Sequence, residues 1–433
     1  MNTAPEIRPI GVGLLGLGTV GAGVVEVLRR NGEAIARRAG GPLLIRRVLV
    51  RDLHRARAGG IDRELLTTDV QVILDDPQID VVVELIGGVE PARTWIDAAL
   101  ASGRPVVTAN KAVLGRHGRE LGATAAHSGV ALAWEAAAAA AIPIVRTLRS
   151  SLASDRVGSL IGILNGTCNH ILTEMTRRGC SMETALREAQ EAGYAEADPH
   201  SDVSGEDAAY KLVLLAGLAF DSPIDLDAVH VEGIEGVRSE DIAMAAELGM
   251  VVKLLAIGRV TNGAVELRVH PAMLPASHPL AAVHGAFNAV FLETDAAGDM
   301  MLYGQGAGAL PTASAVVSDL VEVAAGLRRG KGSAGVTVAA ATLPVRPIAA
   351  LYSRFYLCFD VADQAGVLGQ IATVFGRRNV SVESVIQRGR DEDPVRLVFV
   401  SHHCSEADLR AALAEIEQFA SVRAIASVIR VLD

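Results

Sequence analysis

Aromatic residues make up only 3% of the 433-residue chain, which leaves little material for the stacking platforms that hold single-stranded nucleic acids. Basic residues are also in deficit. Forty Lys and Arg face 50 Asp and Glu, a formal net charge of −10, which argues against a general nucleic-acid or anionic-membrane surface. Any anionic ligand must be met locally. Cysteine is scarce: Cys168, Cys180, Cys358 and Cys404 form no CxxC pair and no metal-finger spacing. A chain this long needs no disulfide staples, so a reducing cytoplasm is expected. Long apolar runs are missing too. Ala136 to Val145 is about ten residues where a bilayer-crossing helix takes about 20, so no membrane span is expected. The start, MNTAPEIRPIGVG, lacks the basic and apolar regions of a secretory leader.

What remains is globular material. Half the residues are apolar and 21% charged, and the length gives a prior of about three domains. From Ile10 the chain alternates β-branched runs (Ile10 to Leu15, Leu43 to Val50, Val81 to Ile86, Val106 to Ala109, Val130 to Trp134) with segments of helical period. That alternation predicts a Rossmann-type doubly wound parallel sheet in an α/β domain. After Pro143 come Ala/Leu/Glu-rich helices at Met182 to Glu191 and Asp207 to Phe220, and strand-like pieces at Ala264 to His270 and Ala289 to Glu293. A Gly-rich loop at Gly304 to Gly308 precedes a helix from Thr312 to about Leu327. A second, α+β domain is the simplest reading. Arg328 to Gly335 has linker composition. Beyond it a βαββαβ order, Phe355 to Val431, is the ferredoxin-like plan. The expected domains are 1–137, 138–327 with 304–327 returning to the first, a linker at 328–350, and 351–433.

Gly16-Leu17-Gly18-Thr19-Val20-Gly21 follows a strand and opens a helix, the context in which GxGxxG lets backbone approach a pyrophosphate. A second match, Gly11 to Gly16, lies within the strand and is set aside. Just after the second strand, Arg51 can meet the 2′-phosphate of NADP, the favoured reading, whereas Asp52 can serve the ribose of NAD. A solvated charged turn is the bland alternative.

Thr108-Ala109-Asn110-Lys111 ends an apolar strand, which places Lys111 at the crevice outside the strands' carboxyl ends; a surface helix-start lysine would look the same. Gly193-Tyr194-Ala195-Glu196-Ala197-Asp198-Pro199 leads through Asp202 to Asp207 and Lys211. Asp207 and Lys211 share a helical face, ordinarily a solvent ion pair worth about 0.3 kcal/mol. The following residues, Leu212 to Phe220, offer no polar face to snorkel along, so Lys211 is expected to be buried. A buried ammonium needs a carboxylate partner, and such a lysine is a candidate proton donor to a carbonyl oxygen, a structural ion pair being the alternative. An EF-hand loop from Asp198 fails, since Gly and Glu would be needed where Val203 and Ala209 stand.

Taken together, these residues resemble homoserine dehydrogenase. The likeness runs through GLGTVG, TANK at Thr108 to Lys111, EAAAAAAIPI at Glu135 to Ile144, GILNGTCNHIL at Gly162 to Leu172, GYAEADP with DxxGxDAAxK at Asp202 to Lys211, and YGxGAGxxPTASAVVxD at Tyr303 to Asp319. The tail, with Asp363 to Leu368 opening its first helix, resembles an ACT domain. The resemblance implies reduction of L-aspartate 4-semialdehyde to L-homoserine with NADPH or NADH, in threonine, methionine and isoleucine biosynthesis. It makes Lys211 the proton donor, with Lys111 lining the site, and puts Glu196, Asp207 and Asp202 on the substrate. Gly16, Leu17, Gly18, Thr19, Val20, Gly21, Arg51, Lys111, Gly193 and Gly308 fall to the cofactor. A monovalent cation, sodium or potassium, is implied on the carbonyls of Glu135, Ala138, Ala140 and Ile142. Feedback by an amino acid, threonine, through the ACT domain is implied as well, as is a homodimer or homotetramer.

Two departures stand out. The family often has Gly-Gly where this chain has Ala140-Ala141, and a φ above zero there strains alanine. Cys168 replaces a usual Thr, and a helix start would lower its pKa. Two other functions stay open: an acylating semialdehyde dehydrogenase using Cys168 with His170 nearby, and a non-enzymatic amino-acid sensor.

Overall fold

The computed structural model describes residues 7–54, 60–330, 342–388 and 394–432. The N-terminal part runs β1 (Ile10–Leu15), α1 (Thr19–Ala39), β2 (Leu43–Leu49), β3 (Leu66–Thr67), α2 (Gln71–Leu74), β4 (Val81–Glu84), α3 (Ala92–Ala101), β5 (Val106–Thr108), α4 (Lys111–Ser128) and β6 (Leu132–Ala133). These strands form one parallel sheet in the order β3-β2-β1-β4-β5-β6. The chain winds one way from β1 to β3 and the other way from β4 onward, so the crevice for a ligand opens beside β1. The doubly wound sheet is therefore present. Only β3 escaped the periodicity, because two residues are too few to alternate.

The middle part runs α5 (Glu135–Ala139), α6 (Ile144–Arg146), β7 (Val157–Ile163), α7 (Gly166–Arg178), α8 (Met182–Glu191), α9 (His200–Val203), α10 (Glu206–Ala219), β8 (His230–Val231), α11 (Ser239–Glu247), β9 (Met250–Thr261), β10 (Ala264–Pro275), β11 (Phe287–Thr294), β12 (Asp299–Gln305) and α12 (Ala309–Arg328). Gly304 belongs to β12, so the Gly-rich loop shortens to 306–308. Helix α12 is long and apolar enough to cross a bilayer by length and composition, with a mean hydropathy of 1.3, but half of that window is buried. Its Val316, Leu320 and Val323 pack with Val24 and Val25 of α1 and with Val12 and Leu14 of β1. A helix from residue 309 onward thus covers the sheet that began at residue 10. Residues 331–341 of the expected linker lie outside the described residues.

The C-terminal part follows as β13 (Tyr352–Val361), α13 (Val367–Arg377), β14 (Val382–Arg388), β15 (Val395–Ser401), β16 (Cys404–Ser405), α14 (Glu406–Ile416) and β17 (Val422–Val431). Phe399 meets Phe359 and Phe375 edge to face, and those two rings are tilted against each other, in a core of its own. Its sheet is not separate. β17 pairs in parallel with β10 at Ala272 and Met273, and the Leu432 amide donates to the Met273 carbonyl at 2.8 Å. One eleven-stranded sheet results: nine strands run β12-β11-β7-β9-β10-β17-β13-β15-β14, and off that path β8 pairs with β10 and β16 with β13.

Candidate active site

After β1 the chain turns at Gly16, where φ is 102°, and enters α1 through Gly18, an N-cap that provides no side-chain hydrogen bond. The first amides of such a helix have no intrahelical acceptor and suit a pyrophosphate. A side chain at Gly21 would put its Cβ 2.3 Å from the Gly16 carbonyl oxygen, while one at Gly18 would meet nothing within 4 Å. The turn is therefore tight beneath and open above, a cradle that fits a dinucleotide. Leu17 is half-buried, Gly18 and Thr19 are exposed, Val20 is half-buried, and Arg51 is exposed just beyond β2. Gly308 caps α12 beside the first turns of α1, since Gly23 approaches Ala309 closely. Gly193 (φ 77°) lies in the turn that ends α8, and its amide donates to the Gln190 carbonyl.

On the other side of the switch point, Glu84 ends β4 fully buried. Its carboxylate accepts from the Thr108 hydroxyl at 2.6 Å, the Ile86 amide at 2.8 Å and the Asn110 side chain at 3.4 Å. Burial pushes this carboxyl up in pKa, and the three donors pull it back only in part. Asn110 also donates to the Gly88 carbonyl and caps α4 by accepting from the Val113 amide. This brace fixes the start of α4, where the Lys111 ammonium forms an ion pair with Asp207 Oδ1.

Helix α10 is buried from Asp207 through Val213, and Lys211 is 8% exposed. Its Nζ donates to Asp207 Oδ2 at 2.7 Å and to the Leu164 carbonyl at 2.7 Å. Asn165 caps α7 by accepting from the Cys168 amide, and its Nδ2 donates to Asp202 Oδ1 at 2.7 Å and Asp207 Oδ2 at 2.9 Å. Asn288 donates to the same Leu164 carbonyl at 2.9 Å. Desolvation opposes both charges of the central pair. At Asp207 the two ammonium groups overcome it and hold the carboxyl well below the usual range. At Lys211 burial prevails, joined by repulsion from Lys111, and the pKa falls below the ordinary lysine value despite Asp207. Lys111 goes the other way: burial lowers it, but Asp207, Asp202 and Glu196 together raise it. Glu196 is exposed and acts on Lys111 through its charge, while its carbonyl accepts from the Gln190 side chain.

The EAAAAAAIPI segment makes a one-turn helix, α5, followed by a tight turn. Ala140 sits at φ 46°, ψ −108°, and the Ile142 amide donates to the Ala139 carbonyl at 3.1 Å. Those angles belong to the first corner of a type II′ turn, a position that favours glycine. The strain that a positive φ would bring falls on Ala140; Ala141 is not among the positive-φ residues. The Glu135 carboxylate is turned inward, accepting from the Val145 and Arg146 amides at 2.8 and 2.9 Å, and the Glu135 amide donates to Asp319. Any cation here would meet main-chain oxygen. The carbonyls of Glu135, Ala138, Ala140 and Ile142 are such a hard-oxygen set, although that of Ile142 already accepts from the Ile144 amide. Among the described residues, no three His, Cys, Asp or Glu side chains gather as metal ligands.

Cys168 corrects an expectation. It lies in the first turn of α7, but it is fully buried and its thiol donates to the Asp202 carbonyl at 3.1 Å. Burial, reinforced by Asp202 and Asp207, pushes its pKa well above the ordinary thiol value, outweighing the helix start. The thiol is therefore no ready nucleophile. Sequence reasoning missed Glu84, Asn165 and Asn288. Glu84 had one signal, a lone carboxylate ending an apolar strand, and Asn165 had another, a capping residue just before a helix.

A family model described as "Homoserine dehydrogenase" matches residues 143–321, one described as "Homoserine dehydrogenase, NAD binding domain" matches 16–135, and one described as "ACT domain" matches 356–421. The homoserine dehydrogenase of Bacillus subtilis (strain 168) is 42% identical over 428 residues, spanning 98% of this chain and 99% of its own. The chain belongs to the homoserine dehydrogenase family. A solved homoserine dehydrogenase from Thiobacillus denitrificans superimposes with a TM-score of 0.93 at 42% identity, covering 98% of this chain and 99% of its own. A hyperthermophilic archaeal homoserine dehydrogenase in complex with NADPH matches at 25% identity and a TM-score of 0.62, over 73% of this chain and 97% of its own. As a homoserine dehydrogenase the chain is an oxidoreductase, with an NAD-binding domain and a C-terminal ACT domain.

Proposed function

We propose that this enzyme reduces L-aspartate 4-semialdehyde to L-homoserine, with NADPH preferred and NADH accepted, and that Lys211 donates the proton. One observation carries the role of Lys211: its ammonium has three N–H groups, and Asp207 and Leu164 take two of them. The third is left for a substrate carbonyl oxygen, and the lowered pKa makes the group a better acid. The nicotinamide, when bound, supplies the hydride. Lys111 lines the same site. Asp202, Asp207 and Glu196 against Lys111 and Lys211 leave one negative charge, which favours a substrate bearing an ammonium.

The open turn at Gly16, Leu17, Gly18, Thr19, Val20 and Gly21, with Gly193 and Gly308, is assigned to the cofactor, and Arg51 to the 2′-phosphate of NADP. NADPH in the archaeal relative supports that preference. A sodium or potassium ion would rest on the carbonyls of Glu135, Ala138, Ala140 and Ile142. The ACT domain supports feedback by an amino acid, which we assign as threonine, in a cytoplasmic pathway leading to threonine, methionine and isoleucine. We further assign a homodimer or homotetramer.

Initial rates with the semialdehyde and each nicotinamide, with and without threonine, test this reading. No oxidation of either cofactor would refute the activity. Lys211→Met should lower kcat by about a hundredfold or more while leaving NADPH affinity intact, and an unchanged kcat would remove Lys211 from proton transfer.

A further inference from the structure

Arg430, near the end of β17, is almost fully buried between the ACT domain and the catalytic domain, its side chain 7% exposed. Its guanidinium donates to Glu406 at 2.5 and 3.0 Å, which ties it to the start of α14 within the ACT domain. It also forms a two-pronged pair with Glu232 of the catalytic domain, at 2.7 and 3.0 Å. Such a fork fixes orientation as well as distance. His230 contacts the same Glu232 at 2.7 Å.

Glu232 opens a short loop that lies directly on the catalytic segment. Its amide donates to the Val269 carbonyl at 2.8 Å, and the Ile234 amide donates to the Val203 carbonyl at 2.8 Å. Gly233 presses so closely that a Cβ there would lie 2.1 Å from the Val203 carbonyl oxygen and 2.7 Å from Ser204 Cα. Gly205, the left-handed N-cap of α10 (φ 86°), leaves about 3.3 Å between a built Cβ and the Glu232 carbonyl oxygen. Val203 follows Asp202, and Gly205 precedes the helix that carries Asp207 and Lys211. The loop therefore touches the chain on both sides of Ser204, between the outer carboxylate and the inner pair.

We infer that Arg430 and Glu232 are positioning residues for the Asp202, Asp207 and Lys211 cluster, so that the last strand of the ACT domain holds part of the active-site frame. Neither residue touches the reacting atoms. They act by fixing the 232–234 loop, and through it Val203 and the start of α10. The inference rests on the proposed catalytic role of that cluster. A displacement of about 1 Å at reacting groups is enough to cost orders of magnitude in rate.

The test uses the full chain with Glu232→Gln, Arg430→Lys and the double variant, each checked for folding by thermal melting. Glu232→Gln should lower kcat about tenfold and raise KM for the semialdehyde, with the dissociation constant of NADPH unchanged. Arg430→Lys keeps the charge but loses the fork, and should fall between the wild type and Glu232→Gln. The double variant should be no worse than the worse single one, as expected if both act through one contact. Folded single variants with wild-type kcat and KM would overturn the inference, as would losses that simply multiply. Lys211→Met separates the two layers: undiminished kcat in that variant would remove the reading beneath. An inactive Lys211→Met alongside wild-type kinetics in the other variants would remove this inference alone.

Discussion

Replacing Ala140 with Gly should leave the fold as stable or more stable, whereas the same change one residue later should weaken it. At φ 46° and ψ −108° the alanine backbone is in a sparsely populated region, which costs about 1–3 kcal/mol. Removing the buried methyl forfeits about 0.8 kcal/mol of transfer free energy. Freeing the unfolded backbone costs about another 0.4–1 kcal/mol. With the strain near 2 kcal/mol, Ala140→Gly comes out stabilising by about 0.5 kcal/mol. Ala141 is exposed and lacks a positive φ, so Ala141→Gly has no strain to release and should lose about 0.7 kcal/mol. Urea unfolding of both variants beside the wild type, at constant sodium concentration, reads the difference of about 1 kcal/mol directly. If the two midpoints fall by equal amounts, the strain argument at Ala140 is wrong.

Asp319 is buried, and burial lifts its pKa to about 7. A carboxyl raised in the folded state lets the folded protein bind more protons than the unfolded chain. Stability from this group is thus greatest below pH 4 and is lost as pH rises towards 7, by an upper bound of about 4 kcal/mol. Asp319→Asn should flatten that slope, and unfolding curves at pH 5 and pH 8 that differ as much as in the wild type would refute it. Cys168→Ala should retain activity within a few-fold, and iodoacetamide should fail to label Cys168 in the native enzyme; rapid labelling there would contradict the buried, protonated thiol. Asn165→Leu removes a cap worth about 1 kcal/mol and both donors to Asp202 and Asp207, so stability and kcat should fall together. A loss of stability with unchanged kcat would limit Asn165 to capping.

The features legible in the sequence were those whose signals are local. The glycine turn after β1, the four-residue spacing of Asp207 and Lys211, and the apolar flank that forces Lys211 inward all lie within one element or its edge. The ACT domain's βαββαβ order was readable for the same reason. What periodicity could not reveal was pairing between distant segments. Nothing in Val422 to Val431 specifies that its free edge meets Ala272 and Met273, because a strand's alternation sets its faces and not its neighbour. Strands β7, β9 and β12 were missed as strands, and of β7 only Gly162 and Ile163 fell within a motif. The brace of Glu84, Thr108 and Asn110 joins two strand ends 24 residues apart, and Leu164 contributes a carbonyl that no side-chain pattern encodes.

Beyond Val269, the edge of β10 opposite β9 is covered by a strand made 160 residues later. Trimming the enzyme back to its catalytic portion would strip β17 from that edge, leaving the backbone at Ala272 and Met273 without the parallel partner seen here. It would also take away the Tyr356 and Ser427 hydroxyls that donate to the fully buried Asp241. A shortened protein would therefore carry an adhesive flank and a carboxylate left with Arg238 as its partner, and its sluggishness or precipitation would say little about sensing. The role of the ACT domain is better dissected with point substitutions in an intact chain than with scissors.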